Sequence, residues 1–202
     1  MRLSSAEFKA KLTEHNLDRG FPFNDESFGF RVEPYTHTMR AWLGKTDHYL
    51  ANPPAGAMFA VTVRKLVQAA PSGDLLGAVV VGRPISPKLS QDGTLAQITR
   101  MWLHPALPFG VASAILRLTM VAAYLRGCAA MITYHDRTRH TGCAYKKAGF
   151  RKDGVTNPGA LGWGSRSGRA SAGAVPTPKR RWRVDLVPPL LPARLDTPDA
   201  AR

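Results

Sequence analysis

The stretch ITRMWLHPALPFGVASAILRLTMVAAYLRGCAAMITYHD, residues 98–136, decides the fold. It opens on a strand-like run at residues 98–103. Two prolines and a glycine then break the chain across residues 104–110. A long apolar segment follows from Val111 to Arg126 and is stopped by Gly127. A second strand-like run, residues 129–133, leads into Tyr134-His135-Asp136. Strand, helix and strand in that order make a β-α-β unit, whose two strands must run parallel. A short helical turn opened by Tyr145 closes the region, in Tyr145-Lys146-Lys147-Ala148-Gly149-Phe150.

Outward from this unit the pattern stays mixed. Residues 4–15 read as an amphipathic helix with Ser before it, residues 28–34 as a short strand, and residues 36–50 as a helix carrying Met39, Trp42 and Leu43 on one face. Residues 58–63 and 75–82 are strand-like, and the turn signal Pro71-Ser72-Gly73-Asp74 between them predicts a hairpin. A third strand is expected over residues 95–103, and a basic strand over residues 179–184 is expected to close the sheet. The fold class is therefore α/β (α+β), a single domain with a mixed sheet. Residues 1–34 read as an N-terminal extension, 35–184 as the domain with a basic Gly/Ser-rich loop at 155–178, and 185–202 as a Pro- and Ala-rich disordered tail.

Composition narrows the partners. The chain carries 28 Lys and Arg against 14 Asp and Glu, for a net charge of +14. Between Arg137 and Arg183 stand twelve basic residues and one acid, Asp153. Such a field attracts polyanions, nucleic acid foremost, with CoA-type phosphates or a plain solvated surface as the other readings. No apolar run approaches the roughly 20 residues that span a bilayer, so no membrane partner is expected. The N-terminus lacks an apolar signal region, and Cys128 and Cys143 form neither a metal spacing nor a disulfide framework. A cytoplasmic location with reduced thiols follows as the expectation. His135 and His140 near Asp136 match no standard zinc spacing, and no metal is expected.

Three features carry possible chemistry. A strand that runs into a helix N-terminus offers unpaired amides and a positive dipole end to an anion, and here Gly110 permits close backbone approach while Ser113 adds a hydroxyl. There is no Walker lysine and no G-x-G-x-x-G, which argues against nucleoside triphosphates and dinucleotides. Tyr145 suits a general acid for a leaving thiolate, or a ring packed beneath a sheet edge. Asp136 after a strand suits a cap for the next turn. Trp163, isolated in a Gly/Ser/Arg loop, suits insertion beside an extruded base or simple loop packing.

The strand, turn, helix and later Tyr-x-x-x-Gly-Phe resemble the GNAT acyltransferases, in which this arrangement holds acyl-CoA. The usual Gln/Arg-x-x-Gly-x-Gly/Ala turn is replaced here by Leu107-Pro108-Phe109-Gly110-Val111-Ala112-Ser113. That replacement resembles a narrower group, the phage Mom proteins, GNAT-like enzymes that modify adenine in DNA. Thr99-Arg100-Met101, Leu107-Pro108, Ser113, His48-Tyr49, Asp136 and the basic aromatic run Pro178-Lys179-Arg180-Arg181-Trp182 stand where that group has its landmarks. Thr99, Leu50 and Val111 depart from it, replacing an Asn and two Ser.

The resemblance implies a GNAT-like sheet with helices on both faces and acetyl-CoA, or a related acyl-CoA, as cofactor. It implies DNA as partner, a homodimer as an option, and a bacterial host cell whose restriction the modified DNA escapes. It implies that His48, Tyr49, Asp136 and Tyr145 surround the reaction centre, with Asp136 or His48 as base or orienter. Arg100, Met101, Leu103, Gly110 and Ser113 would serve the acyl-CoA, Arg100 holding a phosphate or the Asp136 carboxylate. Arg137, Arg139, Trp163, Arg166, Arg169, Lys179, Arg180 and Arg181 would serve the DNA. Two alternatives stay open: an N-acetyltransferase for a small amine or a protein, and a non-catalytic nucleic-acid-binding module on the same scaffold.

Overall fold

The structure is a computed structural model that describes residues 3–23, 27–48, 52–156 and 177–187. One mixed sheet dominates it. In chain order its strands are β1 (Phe21–Pro22), β2 (Phe28–Glu33), β3 (Phe59–Lys65), β4 (Leu75–Gly82), β5 (Leu95–Leu103), β6 (Ala130–Asp136), β7 (Arg151–Thr156) and β8 (Lys179–Asp185). In space they run β1-β2-β3-β4-β5-β6-β8-β7. Every neighbouring pair is antiparallel except β5 and β6, which are parallel as the β-α-β reading requires.

The crossover between β5 and β6 is α3 (Val111–Leu125). Ten of its residues are buried, because the sheet lies on one side of it and α1 (Ser5–Glu14) and α4 (Cys143–Ala148) on others. A helix enclosed on several sides reads as apolar nearly all round. α1 starts on a capping box, with Ser4 and Glu7 satisfying each other's backbone amides. Its Phe8 and Leu12 are buried, and the Arg126 guanidinium sits 4.9 Å from the Phe8 ring centroid while donating to the Ser4 carbonyl at 2.8 Å. Residues 5–33, set apart above as an extension, thus supply a helix and two strands to the packed body, with Phe28, Phe30 and Val32 in its core.

The opposite face of the sheet is covered over β3 and β4 by α2 (His37–Leu43), whose Met39 and Leu43 pack on Ala60, Ala78 and Val80. This helix stops well short of residue 50. After Leu43 the amides of Lys45 and Thr46 and the Thr46 hydroxyl turn back onto the carbonyls of Trp42 and Leu43, which closes the last turn.

At the far edge the sequence reading needs two corrections. β8 does not close the sheet; it lies between β6 and β7, with Trp182 and Val184 buried. The closing strand is β7, which showed no strand pattern because an exposed edge needs no apolar alternation. Cross-strand ion pairs hold it instead: Arg151 to Asp185 at 2.7 Å and Arg181 to Asp153 at 2.9 Å. Among the described residues no helix is long and apolar enough to cross a membrane.

Candidate functional site

The site begins with a fault in the sheet. β5 pairs with β6 through only four residues, from Leu95 opposite Ala130 to Ile98 opposite Thr133. At that point β5 also shifts register against β4: Val81 stands opposite Ile98 but Val80 opposite Arg100, so Thr99 is an extra residue, a β-bulge. Beyond the bulge, residues 99–103 run beside β4 alone and residues 134–136 beside β8 alone. The two parallel strands part into a wedge, and among the described residues no strand lies against the β6-facing edge of β5 there.

The bulge also reassigns side chains. Ile98 faces α3, and after the bulge so do Met101 and Leu103, while Trp102 packs with the α2-side cluster. Arg100 stands opposite Val80 of that same cluster. The residues expected to serve acyl-CoA therefore divide. Met101 and Leu103 stay on the α3 side with Gly110 and Ser113, and Arg100 goes to the other face.

On the α3 side the chain leaves β5 at Leu103, turns through residues 104–110 and enters α3. Gly110 is the N-cap, at φ +99°, with no side chain to satisfy the first amides. Only glycine takes that backbone without strain. The Ser113 hydroxyl donates to the Gly110 carbonyl at 2.9 Å, so only its lone pairs are left for a ligand. Between this helix start and α4 opens a cleft of about 190 Å³, walled by Leu103, Leu107, Phe109, Ser113, Cys143 and Lys147. Phe109 is 87% exposed at its mouth, and the Lys147 ammonium lies 4.1 Å from the ring centroid. Nothing in the sequence joins these two residues.

The wall beside β6 is an aromatic knot. His135 is buried, and its Nδ1 accepts from Trp182 Nε1 at 2.6 Å. An indole N–H only donates, so the imidazole proton sits on Nε2. Burial holds the pKa of His135 below its ordinary value, with the neighbouring charge of His140 and Arg180 acting in the same sense. Tyr145 stacks on His135 with centroids 6.0 Å apart and planes 15° apart, and it meets Phe150 edge-on. Gly142 fits over this knot at φ +77°; a Cβ there would come within 2.5 Å of Trp182 and 2.8 Å of His135.

On the α2 side Arg100 is buried. Its Nη1 lies 2.6 Å from His48 Nδ1, and its Nη2 donates to the Asn52 carbonyl at 2.5 Å. A guanidinium cannot accept, so His48 Nδ1 is the acceptor and the ring is the neutral Nε2–H form. His48 in this state offers a donor, not a base, and Arg100 is bound to His48 rather than to Asp136. Nearby, Trp102 donates from Nε1 to Asp47 at 2.6 Å and meets Trp42 edge-on at 5.3 Å.

Asp136 is fully engaged. Oδ1 accepts from the Thr138 amide at 2.8 Å and from its hydroxyl at 2.7 Å, and Oδ2 accepts from the Thr177 hydroxyl at 2.7 Å. These bonds pull its pKa down to about 2, with Thr138 contributing most. A carboxylate that acidic and that occupied is a poor proton acceptor at neutral pH. It acts as the cap of the turn after β6 and ties that turn to the start of β8. We expect Asp136→Asn to lower stability by about 1–3 kcal/mol, the range for hydrogen bonds to a charged group. Because the folded pKa is depressed, this stabilisation is complete above the ordinary carboxylate range and is lost as pH falls from about 4 toward 2. Denaturant titrations across that range should show an acid limb that the Asn variant flattens; an unaltered limb would assign it to other groups.

Of the residues expected to meet DNA, Arg137 and Arg139 are exposed on the turn after β6, and Lys179, Arg180 and Arg181 lie on β8. Arg181 is spent on Asp153, and Arg151 and Arg183 share Asp185. Tyr49, Trp163, Arg166 and Arg169 fall outside the described residues. Among the described residues no three of His, Cys, Asp or Glu gather as metal ligands would.

No family model matches the chain. No curated protein matches it either. Solved structures do. An IAA acetyltransferase from Bacillus cereus is 14% identical with a TM-score of 0.51, over 79% of this chain and 100% of that one. A Bacillus subtilis acetyltransferase in complex with CoA is 15% identical with a TM-score of 0.51, over 78% and 98%. A protein from Desulfovibrio desulfuricans, described as an acetyltransferase of the GNAT family, is 14% identical with a TM-score of 0.52, over 79% and 99%. At these identities the likeness is one of fold: the chain has the architecture of GNAT acetyltransferases.

Proposed function

We propose that the protein is an acyl-CoA-dependent N-acyltransferase. The observation that carries this reading is the wedge between β5 and β6, opening beside the uncapped N-terminus of α3. An open strand edge offers alternating amides and carbonyls to an extended ligand with amide groups of its own. A helix start with no side-chain cap and a positive dipole end suits a pyrophosphate. A pantetheine arm joined to a pyrophosphate matches both features at once. Acyl-CoA, when bound, supplies an acyl group activated as a thioester.

Each wall then has a task. Met101 and Leu103 line the arm, and Gly110 lets the backbone approach the phosphates. Tyr145, fixed by stacking on His135, donates its hydroxyl proton to the departing sulfur as the C–S bond breaks and the N–C bond to the acceptor forms. The proton lost by the amine restores the phenol through solvent, so no net charge accumulates. His48 is held as an Nε2–H donor by Arg100 and orients the acceptor side rather than abstracting a proton. Asp136 keeps the β6 end in place.

A second reading concerns the acceptor. The α2 side presents Trp42 and Trp102, with Arg100 bound to His48 beside them, and its carboxylates are occupied: Asp47 accepts from Trp102, and Glu33 from Thr62 and Arg64. Such a wall disfavours a cationic amine and favours a flat, uncharged or anionic one. Together with the basic residues near β8, this favours a base of DNA, extruded from the stack, with the exocyclic amine of adenine as the reacting group.

The test starts with calorimetry of CoA and acetyl-CoA on the whole chain. Binding in the micromolar range is expected, and none at millimolar ligand would remove the enzyme reading and leave a binding module. Thiol release from acetyl-CoA is then followed with amines, peptides or duplex DNA. Nucleosides from the DNA reaction are weighed by mass spectrometry. A mass-shifted deoxyadenosine assigns the acceptor to DNA. Thiol release with amines and unaltered nucleosides assigns it to a small amine or a protein.

A further inference from the structure

We infer that Phe109 and Lys147 form a clamp for the adenosine end of the acyl-CoA, an assignment that rests on the proposed function and adds a subsite to it. Phe109 sits just before the N-cap of α3 and is 87% exposed, so one ring face carries the Lys147 ammonium at 4.1 Å and the rest faces water. A phenylalanine left this exposed contributes little to the fold, and its ring is available to a ligand. The Lys147 carbonyl accepts from Arg117 Nη2 at 2.9 Å, which pins the end of α4 to α3. Both residues wall the cleft that begins at Leu103 and passes the α3 N-terminus. A ligand lying along the wedge with its pyrophosphate at that N-terminus would emerge between them.

The chemistry of the pair selects what emerges. The aromatic face stacks a heteroaromatic base, and the ammonium, already turned toward that face, meets a phosphate on the attached sugar. A nucleoside bearing a phosphate satisfies both groups, and an aliphatic tail satisfies neither. The clamp would act on affinity alone, because it lies at the far end of the ligand from the thioester.

Calorimetry with two ligands tests it: CoA, and phosphopantetheine, which keeps the thiol arm and one phosphate but lacks adenosine. Phe109→Ala is expected to weaken CoA by about 5- to 50-fold, the range for loss of one base stack, with phosphopantetheine unchanged within about twofold. Lys147→Gln is expected to weaken CoA further at low salt than at high salt, since its charge is exposed to screening. Phe109 has little burial to lose, so the variant should melt with the wild type. Wild-type protein that binds both ligands, with Phe109→Ala weakening both alike or neither, overturns the clamp and leaves the proposed function standing. Wild-type protein that binds neither ligand overturns both.

Discussion

Tyr145→Phe is expected to lower kcat by about 100-fold or more while leaving CoA affinity and thermal melting close to wild type. The magnitude follows from what a positioned general acid contributes, about 10²–10⁴ in rate. The selectivity follows from the knot around it. The Tyr145 ring packs on His135, Trp182 and Phe150, at centroid distances of 5.9–6.0 Å. Phenylalanine preserves that ring. A stopped-flow record of thiol release and a calorimetric titration on the same preparation separate the two effects. Equal loss of CoA affinity and kcat would make Tyr145 a binding residue. No loss of either would return it to a packing role under the sheet edge.

The second large effect is on stability. Gly142→Ala is expected to cost roughly 2–5 kcal/mol, adding a left-handed backbone penalty to forced repacking of a tight interior. Both contributions are visible at this position. The φ of +77° disfavours any L side chain, and the added methyl would meet Trp182 and His135. Neither neighbour can retreat easily, because each holds the other through the Nε1-to-Nδ1 hydrogen bond. Denaturant midpoints measure the loss, and near-ultraviolet circular dichroism reports whether the aromatic knot has loosened. A variant within 0.5 kcal/mol of wild type, which is an ordinary surface-substitution effect, would show that the loop carrying Gly142 repositions freely.

The central unit was legible because its physics is local. β5, α3 and β6 announce themselves by apolar runs of the right length between proline and glycine breaks. The cap role of Asp136 was open to view for the same reason, since its main partner, Thr138, lies two residues away. What stayed hidden depends on pairs far apart in the chain. A bulge is a relation between two strands, and nothing in Thr99 alone marks it. Phe109 meets Lys147, Arg100 meets His48 and His135 meets Trp182 only after folding. β7 escaped notice because charge, not hydrophobicity, holds it in the sheet.

The extra residue at Thr99 has an evolutionary corollary. Past the bulge, neighbouring positions of a single strand look into different chambers: Met101 and Leu103 into the α3 side, Arg100 and Trp102 into the α2 side. On the proposed function, one short run of codons therefore serves two chambers whose residues mutate separately. On that proposal, a lineage would exchange its acceptor by drifting at alternate positions while the donor chamber stays as it was. A scaffold wired in this way diversifies by substitution without first surrendering the chemistry it already has.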